Sequence, residues 1–165
     1  MNMNEEIAIP PCDIRIDKDG VWYYQGVEMI RKDIVNYFYE NLKRDEYGRY
    51  LIEIKDDRCY LEVEDTAFVV KEVRRSAATE KGAEDFFSLL LSDDTSERLD
   101  LETLHIGTDD IPYCEVKGRQ FEARISRPAY YQIARFFEYD PERESYYIAV
   151  AGDRRYISRR ESARK

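Results

Sequence analysis

Histidine, paired cysteines and net positive charge are all scarce in this chain, and each scarcity closes off a class of function. A single histidine, His105, stands among 165 residues, and Cys12, Cys59 and Cys114 are far apart with no CxxC between them. A zinc site would need carboxylates for most of its ligands, so no metal is expected. Cysteines that are odd in number and widely spaced imply no disulfide framework. No apolar run approaches the ~20 residues of a membrane helix. The opening Met1-Asn2-Met3-Asn4-Glu5-Glu6 has neither the basic start nor the apolar run of a secretory signal. These absences point to a soluble cytoplasmic protein with no membrane partner. Lys plus Arg is 26 against 35 for Asp plus Glu, a net charge of −9, which disfavours a phosphate backbone and makes nucleic acid an unlikely-chemistry partner. There is no GxGxxG or GxxxxGK[ST] to cradle a phosphate, and no serine in a GxSxG setting. No cofactor is expected and no catalytic residue is assigned.

What is present is unevenly charged and rich in tyrosine. Residues Glu80 to Glu102 carry a net −6, whereas Arg154 to Lys165 carry +5, so the basic end has acidic surface available to dock on, its own or a partner's. Tyrosine occurs 14 times, with doublets at Tyr23-Tyr24, Tyr130-Tyr131 and Tyr146-Tyr147. In an alternating strand one ring of a doublet faces out, and exposed tyrosine suits an interface. A homodimer seam is the expectation this raises.

The pattern of apolar residues gives the elements. Asp13–Asp17 alternates as a half-buried strand, and Val21–Tyr24 is an aromatic strand between turns at Gly20 and Gly26. A helix is expected over 31–44, with Ile30, Ile34, Phe38 and Leu42 as its buried stripe and Val35 and Tyr37 on the flanks. Strands follow over 49–55, 58–64, 67–74, 85–91 and 97–103, with a loop at 75–82. Then come strands at 111–116 and 119–125, a helix over 127–137 with Pro128 in its first turn, and strands at 145–151 and 154–158. The buried stripe of the second helix is read as Tyr130, Ile133, Ala134 and Phe137.

Two stretches, Val21–Glu62 and Ile111–Ser158, echo each other as strand, Gly turn, strand, Arg, helix, loop, strand, acidic turn, strand. Arg31 and Arg127 are 96 apart, while Tyr50 and Tyr147, and Asp56 and Asp153, are 97 apart. A small sheet with one helix buries too little alone and must pack further. The expected fold is therefore α+β, two similar small antiparallel-sheet-plus-helix halves packed into one body. Its organisation reads as a flexible N-terminal arm at 1–12, an N-terminal half with extra strands at 13–106, a C-terminal half at 107–158 and a basic tail at 159–165.

Candidate site residues are few. Arg31 and Arg127 open the two helices, where a guanidinium beside free N–H groups could hold an anion or simply pair with a local carboxylate. Glu64 and Asp65 end an acidic strand and could divide acid and base roles, or cap a turn. His105, near Tyr113 and Glu115, reads as a general base or, more plainly, a hydrogen-bonded spacer. Cys114 reads as core.

Gly20–Gly26, Ile30-Arg31, Tyr50-Leu51, Val63–Phe68 and above all Pro112–Arg127 together resemble the bacterial family known as domain of unknown function 1285, over nearly everything from Asp13 to Ser158. That resemblance implies an α+β protein of two similar halves with an association with signalling, and it transfers no reaction or ligand. Its recurrent positions fall on Trp22, Gly26, Arg31, Glu64, Asp65, Phe68, Pro112, Tyr113, Glu122, Ala123 and Arg127. This chain has Ala67 where the family usually has proline, and Glu53-Ile54-Lys55-Asp56 in place of a Thr-Pro-x-Glu element.

The leading expectation is a non-enzymatic binding or regulatory protein, with Trp22, Arg31, Glu64, Asp65, Tyr113, Glu122 and Arg127 as ligand or interface candidates and a protein or small anionic ligand as partner. The alternative is a ligand sensor or enzyme with a pocket around Arg31, Glu64, Asp65 and Arg127.

Overall fold

A computed structural model describes residues 9–76 and 85–160. The chain divides into two compact units, Met1–Ala67 and Phe68–Lys165. The strands read from 67 to 103, assigned to the N-terminal half by the sequence, thus lie in the second unit.

The first unit holds β1 (Pro11–Ile16), β2 (Trp22–Tyr24), β3 (Val27–Glu28), helix α1 (Lys32–Glu40), β4 (Leu42–Arg44), β5 (Tyr50–Ile54) and β6 (Asp57–Val63). Its six strands form one sheet in the order β3-β2-β1-β6-β5-β4. All pairings are antiparallel except β1 with β6, which is parallel, so the sheet is mixed. Proline opens β1, a position where a missing N–H is tolerated. Helix α1 is shorter than its apolar spacing suggests: Leu42 continues the i, i+4 row but belongs to β4, paired to Ile52. The row turned to the core is Val35 and Tyr39, one residue around from the expected stripe. Tyr39 packs edge-on to Trp22 at 4.8 Å and donates its hydroxyl to the Ala67 carbonyl at 2.9 Å.

The second unit holds β7 (Phe68–Ser76), β8 (Phe86–Leu91), β9 (Ser96–Arg98), β10 (His105–Ile106), β11 (Pro112–Val116), β12 (Phe121–Ile125), helix α2 (Arg127–Ala134), β13 (Phe137–Asp140), β14 (Ser145–Val150), β15 (Asp153–Tyr156) and β16 (Ser158–Arg159). One sheet runs β16-β10-β11-β12-β7-β8-β9 and a smaller one β13-β14-β15. The strand expected over 97–103 stops at Arg98, because Asp100 caps a 3-10 turn at Leu101–Thr103 through the Glu102 N–H. The second helix likewise stops at Ala134, and Phe137 starts β13. Ser126 caps α2 by accepting from the Ala129 N–H, and Ala129 and Ile133 are fully buried beneath it. The Gln132 side chain accepts from the Val73 N–H of β7 at 2.7 Å, tying helix to sheet.

The internal echo is a repeat of topology. Strands β15 and β16 are separated by Ile157 alone, whose N–H still bonds the Tyr146 carbonyl of β14, so the two act as one bent strand. The second unit then reads β12-β11-β10-β16/β15-β14-β13, the order of the first unit with the same sense at each pairing, including the parallel pair of β10 with β16. Strands β7, β8 and β9 are added beyond β12. Register fixes the correspondence. Arg15 pairs Tyr23 and Glu62, as His105 pairs Tyr113 and Ser158. Ile54 faces Asp57, as Val150 faces Asp153. The meander offset is therefore 96, matching Tyr50 to Tyr146 and Asp57 to Asp153, one residue from the expected alignment.

One expectation is overturned outright. Cys12 and Cys59 form a disulfide, with Cα atoms 5.0 Å apart and 47 residues between them in sequence. Parallel pairing of β1 with β6 brings them together, and sequence spacing carries no trace of that pairing. Cys114 is the free, buried cysteine. Part of the expected arm and tail is strand: Pro11 opens β1 and Arg159 lies in β16. The loop expected at 75–82 lies largely outside the described residues.

Candidate functional site

Helix α1 carries two apolar rows. Val35 and Tyr39 face the core, whereas Ile34 and Phe38, one residue earlier, face a groove. The groove runs between α1, with its lead-in Met29-Ile30-Arg31, and Ile14 of β1, Ile52 and Ile54 of β5, and Cys12 and Cys59. Its volume is about 770 Å³, within the range of small-molecule sites. Ile30 is 82 % and Ile34 37 % exposed. Thus the stripe that sequence periodicity assigns to the core is an uncovered apolar wall. Charge on the lining is confined to Arg31, Asp57 and Arg58. The Arg31 guanidinium is already bound to Asp33 at 2.7 Å, which holds that carboxyl below its ordinary range. Asp57 and Arg58 are neighbours of opposite sign. The wall is close to neutral.

The repeat provides an internal comparison. Three residues back from Arg15 and Glu62 stand Cys12 and Cys59. Three residues back from their counterparts His105 and Ser158 stand Glu102 and Arg155, an ion pair at 3.9 Å. In the second unit the strand-end counterparts Val150, Asp153, Arg155 and Glu102 line a hollow of about 380 Å³ with Phe86 and Phe87, while Tyr130 and Ala134, the counterparts of Ile34 and Phe38, line a separate hollow of about 630 Å³ with Tyr146, Ile157 and Arg159.

The sequence candidates divide between the units. Trp22 is core, 2 % exposed, stacked on the groove residue Phe38 at 6.2 Å. Its indole N–H has no hydrogen-bond partner among the described residues. Glu64 accepts from the Lys18 N–H at 2.9 Å, so it closes the β1–β2 turn, and it stands 4.0 Å from Arg15. Asp65 is half-buried and engaged by neighbours. Arg127 is exposed in the first turn of α2. Tyr113 and Glu122 gather around His105: Nδ1 is 2.8 Å from the Thr103 carbonyl, Nε2 is 3.4 Å from Glu122, and the ring stacks on Tyr113 at 5.7 Å. Gly107 is required there, since a Cβ would stand 2.7 Å from the Tyr113 ring. Both ring nitrogens are engaged inside the sheet, which is the spacer arrangement. Burial pushes the Cys114 thiol pKa far up, leaving it a packed core residue.

Each tyrosine doublet turns one ring outward, at Tyr24, Tyr131 and Tyr146. The basic stretch meets acids of its own unit: Arg154 with Asp140, Arg155 with Glu102, and Arg159 with Asp110. No helix among the described residues is long and apolar enough to cross a membrane, and no group of three or more His, Cys, Asp or Glu among them could hold a metal ion.

Sequence reasoning missed the groove. Its signal was present in the Ile30, Ile34, Phe38 row, but periodicity alone cannot tell a core stripe from a ligand wall.

The family model described as "Domain of unknown function (DUF1285), N-terminal domain" matches residues 8–66, the extent of the first unit. In fold the chain is similar to a DUF1285 family protein from Silicibacter pomeroyi DSS-3, with a TM-score of 0.72 and 22 % identity over 90 % of this chain and 80 % of that one. It is also similar to a DUF1285 family protein from Shewanella baltica OS155, with a TM-score of 0.61 and 20 % identity over 76 % of this chain and 91 % of that one. No curated protein matches.

Proposed function

We propose that this chain, which belongs to the bacterial DUF1285 family, is a non-enzymatic binding protein whose first unit takes up a small, uncharged, predominantly apolar molecule. The observation that carries this reading is the groove walled by Ile34, Phe38, Ile14, Ile52 and Ile54. An open apolar surface of this kind gains free energy when a ligand removes it from water, at about 25 cal/mol per Å². Wall neutrality selects the ligand's charge. With Arg31 matched by Asp33 and the remaining lining charges, Asp57 and Arg58, opposite in sign, the wall offers a ligand no net charge to offset its loss of water.

The alternative pocket around Arg31, Glu64, Asp65 and Arg127 has less support. Arg31 and Glu64 each spend their charge on local structural bonds. The small anionic ligand expected from the arginines gives way to a neutral one.

The test is uptake of N-phenyl-1-naphthylamine, an uncharged fluorophore that brightens in apolar surroundings. Saturable uptake is expected, accompanied by a change in Trp22 emission, because the indole stacks on Phe38. Ile34→Asp leaves a side chain at a part-exposed position and should weaken uptake by about tenfold or more. Absence of uptake, or uptake indifferent to Ile34→Asp, would contradict the reading. Stronger binding of a sulfonated analogue would contradict the neutral ligand.

A further inference from the structure

We infer that the Cys12–Cys59 disulfide is a reducible clasp on the groove, so that the thiol–disulfide state sets how well the first unit holds its ligand. This rests on the groove being the binding site. Both half-buried cysteines line the groove, and the bond joins β1 to β6 where ordinary pairing is weakest. Pro10 and Pro11 have no N–H to donate, and this end of β1 meets β6 at a single bridge, Pro11 opposite Tyr60, with the Tyr60 N–H bonded to the Pro10 carbonyl at 3.0 Å. Register is then interrupted. Pro11 faces Tyr60 and Arg15 faces Glu62, so β1 spends four steps where β6 spends two, with Asp13 at a φ of 60°. The wall formed by Pro10 and Cys12 is thus tied to β6 by this backbone bridge and by the disulfide.

At the matching sequence count in the second unit, three residues back from His105 and Ser158, no covalent bond is present. Glu102 and Arg155 stand there, an ion pair with both side chains half or more exposed. The disulfide accompanies the apolar groove of the first unit.

Reduction by a dithiol balances simply. A thiolate of the reductant attacks one sulfur, the Cys12–Cys59 bond breaks and a mixed disulfide forms. The second reductant thiol then displaces the protein sulfur. Two electrons and two protons have passed to the protein, leaving two cysteine thiols, and the reductant departs as a disulfide. Without the bridge the Pro10–Cys12 segment must be ordered when ligand binds. Fixing even one further residue costs enough to weaken binding by about tenfold.

The experiment compares intact protein, oxidised and after dithiothreitol, for N-phenyl-1-naphthylamine uptake, with alkylation and mass measurement to count thiols. Cys12 and Cys59 should alkylate only after reduction, while Cys114 stays protected by burial. Uptake should weaken about tenfold on reduction and recover on reoxidation. The double variant Cys12→Ser, Cys59→Ser should bind at the reduced level whatever the reductant. Equal uptake in both states, with the new thiols confirmed, would overturn the clasp while leaving the groove standing. Loss of a cooperative melt on reduction would also overturn it, since the bond would then be a structural staple. Absence of uptake in either state removes the groove reading itself, and the clasp with it.

Discussion

Asp45 and Asp140 occupy corresponding places, Asp45 just after β4 and Asp140 at the end of β13, and each organises the loop that follows. Asp45 accepts from the Tyr47 and Arg49 N–H groups and from the Arg49 side chain. Burial pushes its pKa up, but the bonds from Arg49 outweigh burial and hold it low. Asp140 is held low first by the Tyr156 hydroxyl at 2.7 Å, against burial, with help from the Glu142 and Arg143 N–H groups and the Arg154 charge. A carboxylate whose folded pKa is depressed stabilises the fold fully above the ordinary aspartate value, about pH 4, and loses that contribution as pH falls through the lower folded value. Asp140→Asn should therefore lower the melting temperature at pH 7, with the gap from wild type closing below about pH 4. Melting curves across that range check it, and a gap unchanged in acid would contradict it. This pair was invisible in the sequence, because the partners of Asp140 at Arg154 and Tyr156 come from a strand that only the meander brings alongside. The outward rings of the strand doublets, Tyr24 and Tyr146, were legible, since strand alternation is a local property, whereas Tyr131 turns outward from helix α2.

Among the elements, the two helices differ at their starts. Ser126 caps α2 with its side chain, whereas Arg31 at the N-cap of α1 makes no side-chain cap bond. Arg31→Ser should therefore stabilise the protein by about 1 kcal/mol, since the exposed Arg31–Asp33 pair that it removes contributes little. A rise in melting temperature is expected, and a fall would show that this pair holds the helix entrance. Both helices were legible in place but too long at their ends. Leu42 and Phe137 keep the helical spacing while lying in strands β4 and β13, and apolar spacing does not record which backbone pairing wins. More telling is the face of α1. A pattern that buries Ile30, Ile34 and Phe38 on paper leaves them lining a groove, and departures of this kind concentrate at functional positions.

The whole molecule is one topology written twice, and this was partly legible. The order of elements, the helix positions and the paired turns could be read, because each depends on local alternation and turn chemistry. The parallel pairings β1·β6 and β10·β16 could not, since they join segments remote in sequence, and with them went the disulfide and the exact register of the repeat. Against that common scaffold, the functional claim is a claim of divergence: the first unit keeps an apolar groove at Ile34 and Phe38, where the second carries Tyr130 and Ala134 beside Tyr146, Ile157 and Arg159. Amide and methyl chemical-shift mapping during titration with N-phenyl-1-naphthylamine tests it most directly. Perturbations should concentrate at Ile14, Ile34, Phe38, Ile52 and Ile54, with Val150, Glu102 and Arg155 unmoved. Shifts centred on the second unit's hollow, or spread over both units without a focus, would contradict the account.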